Sequence, residues 1–166
     1  ELNIFQDRTV EKYHTPFFDT EGVTQDDDVC FMVRNGVIEK AYTDKANAAR
    51  FSMPLTGSAS GDYDEVPSLT YAGLSVVPGS KTLKELINGV PAVFVLLASG
   101  GDYTSSGDYA TPVQMSYLTD GEKILGSLPT FNLSGNLFDI FGDDFIGMSC
   151  DRAFMGNRLL VVKMKL

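Results

Sequence analysis

Along most of this chain, apolar and polar positions change over in short runs closed by glycine. That is the pattern of strands joined by tight turns rather than of long helices. Residues 30–34 and 37–40 form one pair of runs, and Asn35-Gly36 between them supplies the two positive φ angles of a type I′ hairpin turn. Residues 42–50 read as a short helix with Thr43 as N-cap and alanines at 46, 48 and 49. Residues 52–67 are rich in Gly, Ser, Asp and Pro, have no period, and read as the longest loop. Strand character returns over 69–77 and stops at Pro78-Gly79.

The second half is better punctuated. Thr82 stands three residues before Glu85 as a capping box, Leu83, Leu86 and Ile87 share one face, and Gly89 closes a helix over 82–88. Residues 92–98 are wholly apolar, which predicts a central strand covered on both faces. Two strand runs between 112 and 133 flank the turn Thr119-Asp120-Gly121-Glu122. Ser134 is placed to cap a helix running to Phe141 and stopped at Gly142. Over 158–166, Leu160, Val162, Met164 and Leu166 fall on one face, and Lys163 and Lys165 on the other. The sequence therefore predicts one α+β domain over 1–166, mostly antiparallel sheet with two or three short helices and no internal repeat.

Composition narrows the function classes. At 166 residues and 43% hydrophobic, the chain can bury a core without disulfides or metals, and it has no run long enough for a membrane helix. Thirteen Lys and Arg against 22 Asp and Glu give a net charge of −9, which argues against a nucleic-acid partner. Two widely separated cysteines, Cys30 and Cys150, are too few for a disulfide framework and suit a reducing cytoplasm, with a single bridge as the alternative. The opening at Glu1, with no leader after it, leads us to expect a piece excised from a longer protein.

Chemistry is sparse. Zinc ligands usually arrive in close pairs such as C-x-x-C, whereas His14, Cys30 and Cys150 are isolated. The acidic runs Asp26-Asp27-Asp28 and Asp62-Tyr63-Asp64-Glu65 lack the spacing of a calcium loop and read as solvated turns. Ser105-Ser106-Gly107 and Ser58-Ala59-Ser60-Gly61 are not nucleophile elbows, and Gly100-Gly101 is not a phosphate loop. The adjacent acids Asp143-Asp144 read as a solvated turn. No self-sufficient active site emerges.

A series of segments in fixed order carries a resemblance. Phe17-Phe18-Asp19-Thr20-Glu21-Gly22-Val23 is similar to F-D-x-E-G-V, and Arg34-Asn35-Gly36-Val37-Ile38 to a D-G-V-L turn. Tyr42 to Ala49 is similar to Y-x-x-D-x-x-S-A, and Leu55-Thr56-Gly57-Ser58-Ala59 to S-T-G-N-A. The stretch from Leu74 to Ile87 is similar to N-L-x-x-x-P-G-x-x-S-x-x-E-L-I, and Ser106-Gly107-Asp108-Tyr109 to T-G-D-[FY]-S. Leu118-Thr119-Asp120-Gly121-Glu122 and the run from Phe131 to Ile140 are similar to I-E-N-G-E and T-I-A-G-N-L-x-D-[ML], and Ile146-Gly147 to the I-G-N-D that follows. Together they resemble the carboxyl-terminal part of the TldD/PmbA family, first described as modulators of DNA gyrase and now regarded as peptide-processing metallopeptidases.

The resemblance implies a substrate-holding, dimer-forming domain that is inactive alone, partnered as a homodimer or with a TldD-like subunit. It implies a peptide or unfolded-protein substrate held as an added strand, with Thr56, Gly57, Gly107, Asp108 and Tyr109 near the groove. In the TldD branch zinc sits on an H-E-x-x-x-H helix and a late cysteine in G-T-C-G-K. This chain has no such helix, and Cys150 stands in Met148-Ser149-Cys150-Asp151-Arg152, so it looks closer to the PmbA (TldE) branch. The run Asn157-Arg158-Leu159-Leu160-Val161 also stands where the family usually has P-S-[LV]-x-[IV]. The expectation is no catalytic residue and no metal ligand in this chain, with zinc in the longer parent or its partner. Two alternatives remain: an active zinc peptidase to which Cys150, or less favourably His14, lends a ligand, or an interaction domain with no proteolytic link.

Overall fold

A computed structural model describes residues 1–7, 17–24, 29–70 and 73–165. They divide into two compact units, Glu1–Val77 and Pro78–Leu166. Every strand pairing in both is antiparallel and the helices are short, so the α+β class read from the sequence holds. His14 and the run Asp26-Asp27-Asp28 lie outside the described residues.

Unit 1 contains β1 (Ile4–Asp7), β2 (Val29–Arg34), β3 (Val37–Ile38), α1 (Lys45–Phe51), β4 (Ala59–Ser60), β5 (Ser68–Leu69) and β6 (Leu74–Val76). Its main sheet has the order β3-β2-β1-β6. In β2, Cys30 and Met32 are buried and alternate with half-buried Phe31 and Val33, so the strand turns one face into the core. The predicted hairpin forms: Asn35 and Gly36 have φ of 50° and 78°, and Arg34 pairs with Val37.

The opening residues supply β1, which lies between β2 and β6. Two expectations in unit 1 need correction. Residues 69–77 are not one strand. Ser68–Leu69 pairs with β4 and Leu74–Val76 with β1, a change of partner that alternation does not disclose. The N-cap of α1 is Asp44, whose Oδ1 accepts the Asn47 N–H at 2.6 Å, and not Thr43. Thr43 is already committed: its hydroxyl donates to the Pro54 carbonyl at 2.6 Å and its N–H to Thr56 Oγ1 at 2.8 Å.

Unit 2 contains α2 (Leu83–Ile87), β7 (Ala92–Ala98), β8 (Asp102–Tyr103), β9 (Asp108–Thr119), β10 (Ile124–Ser127), β11 (Phe131–Asn136), α3 (Leu137–Ile140), β12 (Phe145–Met148) and β13 (Leu160–Val162). The long strand β9 is its spine. It pairs with β7 and β8, and also with β10 and β11. Val113 at its middle is buried, as are Leu133 of β11 and Ile140 of α3. Both halves of the capping box on α2 are made; Leu83 and Ile87 are buried, and Leu86 lies half-buried against Gly147 of β12.

The sequence places the centre of this sheet in the wrong strand. β7 pairs only with β9 among the described residues, and Leu96 and Leu97 are 37% and 48% exposed. Pro112 lies inside β9, where proline gives no N–H to the ladder. The sheet accommodates it by bulging: the β7 register shifts between Leu97 and Ala98, and the Ser99 N–H donates to the Pro112 carbonyl at 3.3 Å. The helix expected from Ser134 to Phe141 is confined to Leu137–Ile140. Ser134 and Gly135 continue β11 opposite Ala110 and Tyr109, and Asn136 is the cap. In the last run the regular strand is Leu160–Val162; Leu160 is 40% exposed and so does not share a buried face with Val162 and Met164.

Candidate functional site

Some of the family-like motifs come together in each unit. In unit 1 they build an interior bracket. The Asp19 carboxylate is buried and accepts three backbone N–H groups: Glu21 and Val23 on Oδ1 at 2.9 and 2.8 Å, and Ala59 on Oδ2 at 3.1 Å. Glu21 extends the bracket to α1 by accepting the Lys45 N–H at 2.7 Å, a carboxylate at a helix N-terminus. Thr43, Thr56 and Ser58 join their hydroxyls alongside, with Thr56 Oγ1 2.9 Å from Ser58 Oγ. Thr56 is 2% exposed and Gly57 is buried beside it, so both groove candidates from this segment are interior to unit 1.

In unit 2 the motifs open onto solvent. A groove of about 700 Å³ is lined by β8, β9 and β11 residues together with Asp139 and Lys165. Its wall is built by register: Tyr103 faces Tyr109, which faces Gly135, and Asp102 faces Ala110, which faces Ser134. Lys165 joins by exchanging backbone hydrogen bonds with Ser134 at 3.1 and 3.3 Å. Of the sequence candidates, Asp108 and Tyr109 line this groove, and Gly107 is buried immediately behind them.

A polar network holds the 104–108 turn to α3. Ser106 Oγ donates to Asp108 Oδ2 at 2.8 Å, and Asn136 Nδ2 donates to Asp108 Oδ1 at 3.2 Å and to the Ser106 carbonyl at 3.0 Å. Asn136 Oδ1 in turn accepts the Phe138 N–H, and the Gly107 carbonyl accepts the Leu137 N–H at 2.8 Å. The Ser106 hydroxyl first, then the Asn136 amide, hold the Asp108 carboxyl below its usual range, because both bonds favour the ionised form. Ser106-Gly107-Asp108-Tyr109 and Ser134-Gly135-Asn136 are thus two sides of one structure.

Sequence reasoning missed Asp102, Tyr103, Asp139 and Lys165 as groove residues. Only the G-N step within the run from Phe131 to Ile140 pointed to this side of the groove.

The region around Cys150 is a second bracket. Ser149 is fully buried, with its Oγ donating to the Asp151 carbonyl and accepting the Leu159 N–H, while Asp151 Oδ1 accepts the Leu83 N–H at 2.9 Å at the start of α2. The Cys150 N–H donates to the Lys81 carbonyl and its carbonyl accepts from Arg158 Nε. Both cysteines are free, and Cys30 is buried in β2. Among the described residues no three His, Cys, Asp or Glu side chains gather as a metal would require.

A model of the PmbA/TldA metallopeptidase C-terminal domain matches residues 1–160. The chain belongs to this family. A zinc metalloprotease TldD homolog of Saccharolobus solfataricus is 26% identical over 122 residues, covering 72% of this chain and 27% of its own length. A metalloprotease TldD homolog of Buchnera aphidicola is 26% identical over 125 residues, covering 74% of this chain and 26% of its own. The chain therefore spans about a quarter of the length of these curated relatives. In fold it is similar to TldE from Thermococcus kodakarensis, with a TM-score of 0.74 at 16% identity over 98% of this chain and 38% of that one.

Proposed function

We propose that this chain is the carboxyl-terminal domain of a TldD/PmbA-like zinc metallopeptidase system acting in peptide maturation and proteolysis. On this reading it holds substrate and forms a dimer, and does not cut peptide bonds alone. The observation that supports it is the open groove of unit 2, where Asp108 and Tyr109 stand beside the short strand β8. Among the described residues β8 pairs only with β9, which leaves an edge suited to an extended peptide added as a strand. Zinc is assigned to the longer parent or to a TldD-like partner, and the surroundings of Cys150 favour the PmbA (TldE) branch.

The net charge of −9 favours neither nucleic acid nor an anionic membrane as partner. No helix among the described residues is long and apolar enough to cross a membrane. The free cysteines favour the cytoplasm.

Metal analysis and a chelator-controlled peptide-hydrolysis assay on the untagged chain test the division of labour. We expect no stoichiometric zinc and no hydrolysis. One equivalent of zinc lost on Cys150→Ser, or cleavage abolished by chelator, would move the chain into the catalytic branch.

A further inference from the structure

We infer that the groove of unit 2 selects its peptide by a cationic side chain, a lysine or arginine seated among Tyr103, Tyr109, Asp102 and Asp139. This rests on the peptide-holding reading above. Three carboxylates, Asp102, Asp108 and Asp139, line the groove against a single cation, Lys165. They differ in how far they are committed. Both oxygens of Asp108 are taken by Ser106 and Asn136, so it acts as a fixed negative charge in the wall. Asp102 uses one oxygen, which accepts the Tyr103 N–H at 2.7 Å. The Asp139 carboxylate has no hydrogen-bond or ion-pair partner among the described residues, and neither has the Lys165 ammonium.

The kind of cation follows from the lining. The three carboxylates do not gather into a metal-holding group, so a bare divalent ion is not the fitting ligand. Two phenol rings lie in the same wall, Tyr103 being 69% exposed, and aromatic faces attract ammonium and guanidinium groups. A volume of about 700 Å³ accommodates several residues of extended chain rather than one small ion. A long cationic side chain can lay its methylenes on the rings and carry its charge to Asp139 or Asp102.

The test uses short fluorescein-labelled unstructured peptides that differ at one central position: lysine, norleucine or glutamate. Binding to the full chain is read by fluorescence anisotropy at low and high salt. The lysine peptide should bind roughly five-fold more tightly than the norleucine peptide, as a cation–π contact with an exposed ion pair supplies. The glutamate peptide should bind most weakly, and high salt should narrow the spread. Asp139→Asn should remove most of the lysine preference, whereas Lys165→Gln should tighten the lysine peptide. That gain is one a misfolded variant cannot mimic. Equal affinity for all three peptides would overturn the cation preference while leaving peptide holding intact. Failure to bind any of them would overturn the peptide-holding reading, and this inference with it.

Discussion

Gly107 has a φ of 87°, and a Cβ built there would sit 2.8 Å from a ring carbon of Phe138. Gly36 has a similar φ of 78°, but nothing lies within 4 Å of its Cβ position. The two positions therefore separate backbone strain from steric fit. At Gly36 an alanine meets only the left-handed penalty, about 1–2 kcal/mol. At Gly107 the same penalty is joined by crowding against Asn136 Oδ1, 3.2 Å from that Cβ, which accepts the Phe138 N–H in the groove network. We expect Gly36→Ala to lower unfolding free energy by about 1–2 kcal/mol and Gly107→Ala by about 2–4 kcal/mol in urea titrations. An equal or smaller loss at Gly107 would mean that the 104–108 turn yields freely, and the wall of the groove could not then be rigid.

Helix α2 is the element whose chemistry is most local. The Thr82 backbone N–H, then its hydroxyl, donate to the Glu85 carboxylate, and these bonds lower its pKa from the ordinary 4.5. The group is ionised more readily folded than unfolded, so its contribution is fully present above the unfolded value. It is lost as pH falls through the lower folded value. Asp108 and Asp120 are shifted in the same direction, Asp108 by Ser106 and Asn136, Asp120 by the N–H groups of Lys123 and Glu122. Thermal stability should therefore hold from neutrality to about pH 5 and fall below it. The Glu85→Gln variant should show a shallower acid limb; an unchanged limb in circular-dichroism melts would remove the capping box as a source of acid sensitivity.

The same contrast between local and distant partners explains what could be read without coordinates. The capping box and the Asn35-Gly36 turn were legible because their partners lie within three or four residues. Thr43 was misread as a cap because what decides its role is Thr56, across a loop. β7 was misread as central because apolarity on both faces is also compatible with an edge strand that leaves Leu96 and Leu97 exposed. In the groove, Asp108 and Tyr109 came from a motif. Asp102 and Tyr103 arrive by strand pairing, and Lys165 by a bridge to Ser134, which no spacing rule encodes.

At the scale of the whole molecule, the dimer-forming part of the proposal can be tested through charge and the edge of a sheet. β7 ends in exposed Leu96 and Leu97, and Leu97 pairs across with Met115, itself 44% exposed. An apolar sheet edge of this kind is where chains add to one another unless charge prevents it. Each chain carries a net charge of −9, so two copies repel, and that repulsion is screened by salt while apolar burial is not. Association through this edge should thus strengthen as salt is raised, the reverse of an assembly held by ion pairs. Leu97→Lys places a charge at the edge and should lower the dimer fraction in sedimentation velocity at every salt concentration. A chain that stays monomeric across the salt series would exclude the homodimer and leave only a heterodimer with a TldD-like subunit. A dimer indifferent to Leu97→Lys would place the interface away from β7.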